Sequence, residues 1–187
     1  METTIYRTGQ MRVPTHDEWL LNHWSEFDRR RPEGHPSRSE VLYASPDLHG
    51  GHCWLYDGIL SSTRGHYKNA LFNQVTVESD NVRVYCVGNY NTVGEHYSNL
   101  TSEQITGINN YWQNSMTLTE WKQKVGGDYY GGYEVLLPES EIISSRVLTY
   151  TELREMYEKE RLEDYKLDEL DEIQMALEAG EASLTTV

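Results

Sequence analysis

Residues 131–142 read GGYEVLLPESEI, and this stretch constrains the fold more than any other. Val135, Leu136 and Leu137 form a short apolar run closed by Pro138, a residue that cannot sit in the middle of a central strand. The run reads as a buried β-strand, and SEIISSRVLTY, after the proline, as a second extended segment. Glu134 opens the first strand, where a carboxylate is costly unless it has partners. The fold must therefore supply a site that can use or hold that charge.

The remaining elements follow from periodicity and caps. TTIYR (3–7) is β-branched and aromatic and reads as a strand with Arg7 at its end; TGQMRVP after it is a loop. Thr15 and Glu18 make a capping box, and Leu20, Trp24 and Phe27 recur at helical spacing through HDEWLLNHWSEF. RRRPEGHPSRS (29–39) is a loop and EVLYA (40–44) a strand, after which Ser45 is placed as N-cap of a helix with Pro46 at its first position. Around the turn-like ESDN, Leu71, Val75 and Val77 alternate, and so do Val82, Val84 and Cys86, which predicts two strands adjacent in one sheet. SEQITGINNYWQ and LTEWKQKV read as short helices, the second ended by Gly126 and Gly127. Thr149 and Glu152 form another capping box and open a long helix to about Gly180. Leu153, Met156 and Tyr157 are set to pack on the core; Leu170, Ile173 and Leu177 make a narrower stripe that could lie against the body, a partner or nothing. The order has no regular βαβ alternation, so the expected class is α+β.

Charge separates the tail from the rest. From Thr151 to Val187 there are 12 acidic against 4 basic residues, which carry −8 of the total −14. The expected organisation is a domain over 1–150 and an acidic helical tail over 151–187, with a basic partner as one use for the tail. The acidic balance argues against nucleic-acid binding by phosphate neutralisation. No stretch nears the roughly 18 apolar residues of a membrane span, and METTIYRTGQ lacks the features of a signal peptide, so the chain reads as cytoplasmic. Cys53 and Cys86 give no disulfide framework.

Three pieces at strand ends, YR (6–7), YAS (43–45) and YEVLLP (133–138), in this order resemble the arginine, serine and glutamate signature of ADP-ribosyltransferases of the diphtheria/cholera-toxin superfamily. The resemblance spans roughly residues 3–150, and EVLLP followed by an extended segment is its most characteristic part. It implies a split β-sandwich, with peripheral helices, that binds NAD as co-substrate in a central cleft. It assigns Arg7 to the phosphates or adjacent ribose, Ser45 to the nicotinamide-ribose region and the glutamate, and Glu134 to the 2′-hydroxyl of the nicotinamide ribose. Tyr56 and Tyr67 are candidate stacking faces for nicotinamide. The chemistry suits these residue types, because loss of nicotinamide leaves an oxocarbenium-like ribose that a carboxylate stabilises, and a diphosphate is met best by a planar, permanently charged donor.

Two positions depart from that pattern. Gly132 stands where arginine-modifying members carry Glu or Gln, which leaves the acceptor open between a protein, another macromolecule and water, the last making the chain an NAD glycohydrolase. Ala44-Ser45-Pro46 replaces the usual serine-threonine-serine run. A different class also stays open: a non-enzymatic interaction protein on the same fold, a bacteriophage or toxin-system component docking through its tail. His49, His52, Cys53 and His66 are zinc-ligand types without a second pair at ligand spacing, so no metal site is expected. GxSxG, GxGxxG and GxxxxGK[ST] do not occur, and the glycine-rich GGDYYGG (126–132) reads as a mobile loop that delivers Glu134 to the cleft.

Overall fold

The computed structural model describes residues 1–13, 24–60, 71–89, 100–125, 132–160 and 164–178. Seven strands, β1 (Glu2–Thr8), β2 (Leu42–Ala44), β3 (Phe72–Glu78), β4 (Arg83–Cys86), β5 (Met116–Thr117), β6 (Tyr133–Leu137) and β7 (Ile142–Val147), form two antiparallel sheets among these residues. One sheet has the order β1-β3-β7 and the other β2-β6-β4-β5. The helices are α1 (Leu48–Leu60), α2 (Ser102–Gln113), α3 (Leu118–Lys124), α4 (Tyr150–Glu160) and α5 (Asp164–Glu178). The class is α+β, as the element order predicts. No helix among the described residues is long and apolar enough to cross a membrane.

The sheets touch along one line. Tyr6 and Ser45 form an isolated antiparallel bridge, with the Tyr6 amide donating to the Ser45 carbonyl at 2.9 Å and the Ser45 amide to the Tyr6 carbonyl at 2.6 Å. β1 and β2 are thus neighbours there and diverge elsewhere, so the two sheets split beside Arg7 and Ser45. Between them lies a core of Ile5, Val75 and Val77 from one sheet and Leu42, Ala44, Val84, Val135 and Leu137 from the other, with Leu118 and Trp121 of α3 closing it. Each fully buried aliphatic side chain there contributes roughly 1.5–3 kcal/mol.

The two alternating rows around ESDN do not pair. β3 joins β1 and β7, and β4 joins β6 and β5. A turn in which the Asn81 amide donates to the Glu78 carbonyl carries the chain from one sheet to the other. Val75 and Val77 then face Val82 and Val84 across the shared core. Alternation fixes which residues are buried, and that requirement is met equally by pairing within a sheet or facing between sheets.

The cap expected at α4 holds, with Thr149 and Glu152 closing a capping box, and α2 carries one that the sequence reading did not name, from Thr101 and Gln104. The cap expected at Ser45 does not hold. Helix α1 begins at Leu48, and Asp47 caps it by accepting the Gly50 amide at 2.7 Å. Ser45 lies outside the helix, its Oγ donating to the Asp47 carbonyl at 2.9 Å. The longer carboxylate reaches the first-turn amide that the serine was expected to cap. The capping box at Thr15 and Glu18 lies outside the described residues; Trp24 and Phe27 are buried in the helical residues 24–28.

The single long helix expected to about Gly180 is instead two helices, α4 and α5, that pack on each other and on the body. Tyr150 of α4 donates to Asp171 of α5 at 2.5 Å, and Arg154 pairs with the same carboxylate. Leu153 and Tyr157 are buried with Leu170 and Ile173, against Tyr6, Phe72 and the α1 residues Leu48 and Leu55. Leu170 and Ile173 of the second apolar stripe therefore lie against the body.

Candidate functional site at the split between the sheets

Strand order and register bring the three signature positions to one place. Arg7 follows Tyr6 in β1, Ser45 is bonded to Tyr6, and Ala44 pairs with Val135 in β6, which sets Glu134 one step along from the Ser45 end of β2. All three are nearly fully buried: Arg7 is 8% exposed, Ser45 0% and Glu134 5%.

Arg7 donates from Nε to the Gln10 carbonyl at 3.0 Å and from Nη1 to the Tyr43 carbonyl at 2.6 Å, which ties the loop after β1 to β2. The position of Ser45 depends on a close approach from α1. A Cβ on Gly50 would stand 2.4 Å from Ser45 Oγ, so only glycine leaves the hydroxyl where it is. A shallow crevice of about 10 Å³, room for little more than one water, opens here, lined by Ser45, Asp47, Gly50, Trp121, Gly132 and Tyr133. Ligand pockets run to roughly 300–1,000 Å³, so this crevice as it stands is far smaller than a nucleotide-binding pocket. Burial raises the Asp47 carboxyl above the ordinary carboxylate range, with the Gly50 amide and the Ser45 hydroxyl pulling the other way.

Glu134 turns to the outer face of its sheet, where two donors converge on one of its oxygens. Arg38 Nη1 lies 2.5 Å from Glu134 Oε1, and the Tyr111 hydroxyl donates to the same atom at 2.7 Å. Arg38 itself is 2% exposed. Its guanidinium lies 5.0–5.9 Å from the ring centres of Trp24, Phe27, Tyr43 and Tyr111. Phe27, Tyr43 and Tyr111 belong to an aromatic core with Tyr85, Trp112 and Leu136, in which Tyr85 stacks on Tyr111 at 4.9 Å. Burial, reinforced by Glu134, raises the Tyr111 phenol well above its usual value against the opposing pull of Arg38, so the hydroxyl stays a donor. The carboxylate at the head of β6 thus has its partners, one cationic and one neutral.

Arg38 and Tyr111 are the residues the sequence reading missed. The signal for the first was available: a buried carboxylate demands a cation, and Arg38 lies four residues ahead of Leu42, which pairs with Leu137 of the same strand as Glu134. It was hidden in a loop of four arginines, and only Ser37, which caps the Arg38–Glu40 turn, marks the ordered end of that loop.

The other candidates separate. Tyr56 is grouped with α1, α4 and α5, donates to Glu172 of α5 at 3.1 Å and stacks near His52; it does not join the Glu134 cluster. Tyr67, His66 and residues 126–131 of the glycine-rich loop lie outside the described residues. His52, 1% exposed, bonds Tyr157 at 2.8 Å and Glu169 at 2.6 Å. No group of three His, Cys, Asp or Glu side chains among the described residues is arranged to hold a metal ion. No protein-family model, curated protein or solved structure matches the chain.

Proposed function

We propose that the chain is an NAD-consuming ADP-ribosyltransferase with its site at the split between the sheets. The single observation that supports the reading is that three positions far apart in sequence, Arg7, Ser45 and Glu134, become backbone neighbours through the Tyr6–Ser45 bridge and the Ala44–Val135 pair, with the Glu134 carboxylate reached from the outer face of its sheet.

In this reading the bond between C1′ of the ribose and the nicotinamide nitrogen breaks heterolytically. The electron pair stays on nitrogen, which leaves as neutral nicotinamide. Glu134 hydrogen-bonds the 2′-hydroxyl and stabilises the ribosyl cation more than the ground state. Arg7 holds the diphosphate side, and Ser45 orders the junction between them. The cation is then captured by a nucleophile of a macromolecular acceptor, or by water, which gives up a proton. Gly132, in the position that arginine-modifying members fill with Glu or Gln, leaves acceptor choice to groups other than a second carboxylate.

The test is a calorimetric titration of NAD into wild type and Arg7→Ala, followed by incubation of each with biotin-labelled NAD and a cell lysate. Saturable binding lost in Arg7→Ala, with label transferred to lysate protein, supports transfer; free ADP-ribose without transfer moves the reading to glycohydrolase. A wild type that neither binds nor consumes NAD overturns it.

A further inference from the structure

We propose that Arg38 and Tyr111 are positioning residues for Glu134, fixing it by Oε1 so that Oε2 is the oxygen offered to the substrate ribose; the inference rests on the transferase reading above. Arg38 reaches Glu134 with one nitrogen, Nη1, and Tyr111 adds its hydroxyl to the same oxygen. Oε2 has no partner among the described residues. An arginine serving only to neutralise a carboxylate commonly pairs fork to fork and uses both oxygens. Here two donors from two elements, the turn before β2 and helix α2, hold one oxygen and leave the other.

The surroundings keep that geometry rigid. Tyr111 is fully buried and stacked on Tyr85, and Arg38 is held among four rings. Tyr43 links the trio to the other side of the site: its hydroxyl donates to the Arg38 carbonyl at 2.7 Å, and its own carbonyl accepts from Arg7. Displacing a catalytic group by about 1 Å costs on the order of 10²-fold in rate, so a carboxylate whose rotamer is locked by its supporting residues gains where a mobile one loses.

The experiment is steady-state nicotinamide release from NAD by wild type, Tyr111→Phe and Arg38→Lys, with the thermal midpoint of each measured alongside. Tyr111→Phe keeps the stacked ring and deletes one hydroxyl, so it remains informative if Arg38→Lys does not fold. The inference predicts kcat lower by about tenfold or more in Tyr111→Phe with KM within about twofold, because Glu134 acts on the transition state rather than on bound substrate. If wild type turns over NAD and both folded variants keep kcat within about twofold, the inference fails and the transferase reading stands. If wild type consumes no NAD, both fall.

Discussion

Removing either partner of the Arg38–Glu134 pair should destabilise the protein by unequal amounts, and the order follows from what each charge keeps. In Arg38→Met, Glu134 keeps only the Tyr111 hydroxyl inside an aromatic core. A buried charge stripped of its counter-ion costs about 3–5 kcal/mol. In Glu134→Gln, the amide oxygen still accepts from Arg38 and Tyr111, and the guanidinium keeps its four rings at 5.0–5.9 Å. Each ring returns about 0.5–2 kcal/mol to a desolvated cation, so the expected loss is about 1–3 kcal/mol. At about 2–4 °C per kcal/mol for a chain of this size, the melting midpoint falls by about 6–20 °C for Arg38→Met and less for Glu134→Gln. The double variant should lose less than the sum of the singles by about 0.5–3 kcal/mol, because its second substitution removes the group the first one orphaned. Urea unfolding followed by the fluorescence of the five tryptophans reads all four proteins. A Glu134→Gln as costly as Arg38→Met, or a strictly additive double variant, refutes the argument.

The tail helix should behave as part of the folded body. Leu170→Ala and Ile173→Ala, at side chains 0% and 1% exposed, should each cost about 2–5 kcal/mol in urea unfolding; values within about 0.5 kcal/mol of wild type would mean that α5 is not docked in solution. Acidification should weaken the protein through His52. Burial holds its pKa below the ordinary 6.5, more strongly than Glu169 raises it. The unfolded chain therefore binds more protons between the folded pKa and 6.5, and stability present above pH 6.5 is lost as pH falls, by up to about 1.4 kcal/mol per pH unit. His52→Gln should flatten the fall in urea midpoint between pH 7.5 and 5.5, and an unchanged slope contradicts the assignment. Gly51→Ala should destabilise despite a helix-propensity gain of up to about 1 kcal/mol. Its Cβ would stand 2.8 Å from Tyr6 Cβ and 3.0 Å from Phe72 Cζ, and overpacking costs about 1–3 kcal/mol; a raised melting midpoint would show that this contact relaxes freely.

Local rules read most of the elements and some of their ends. Thr149 and Glu152 bracket the start of α4 in sequence as they do in space, because a capping box is closed within four residues. What local rules leave open is which surfaces meet. The Val75 and Val84 rows alternate as expected, yet face each other from different sheets, since burial alone does not choose between pairing and packing. The sequence points to Ser45 as the cap, and Asp47 takes that role because its carboxylate is the group that reaches the Gly50 amide. At the site, Arg7, Ser45 and Glu134 were legible as a set only through their order along the chain. The partners of Glu134 were not: Arg38 lies 96 residues from it and Tyr111 23 residues, and no local pattern ties either to β6.

The most direct test of the account is the initial rate of nicotinamide release from NAD by wild type and by Glu134→Gln, both confirmed folded by circular dichroism. The account predicts release by wild type and a loss of about 10²–10³-fold in Glu134→Gln, the scale for removing one transition-state electrostatic contact. Equal rates in the two folded proteins, or no release by wild type, would contradict it and leave Glu134 as the buried counter-ion of Arg38.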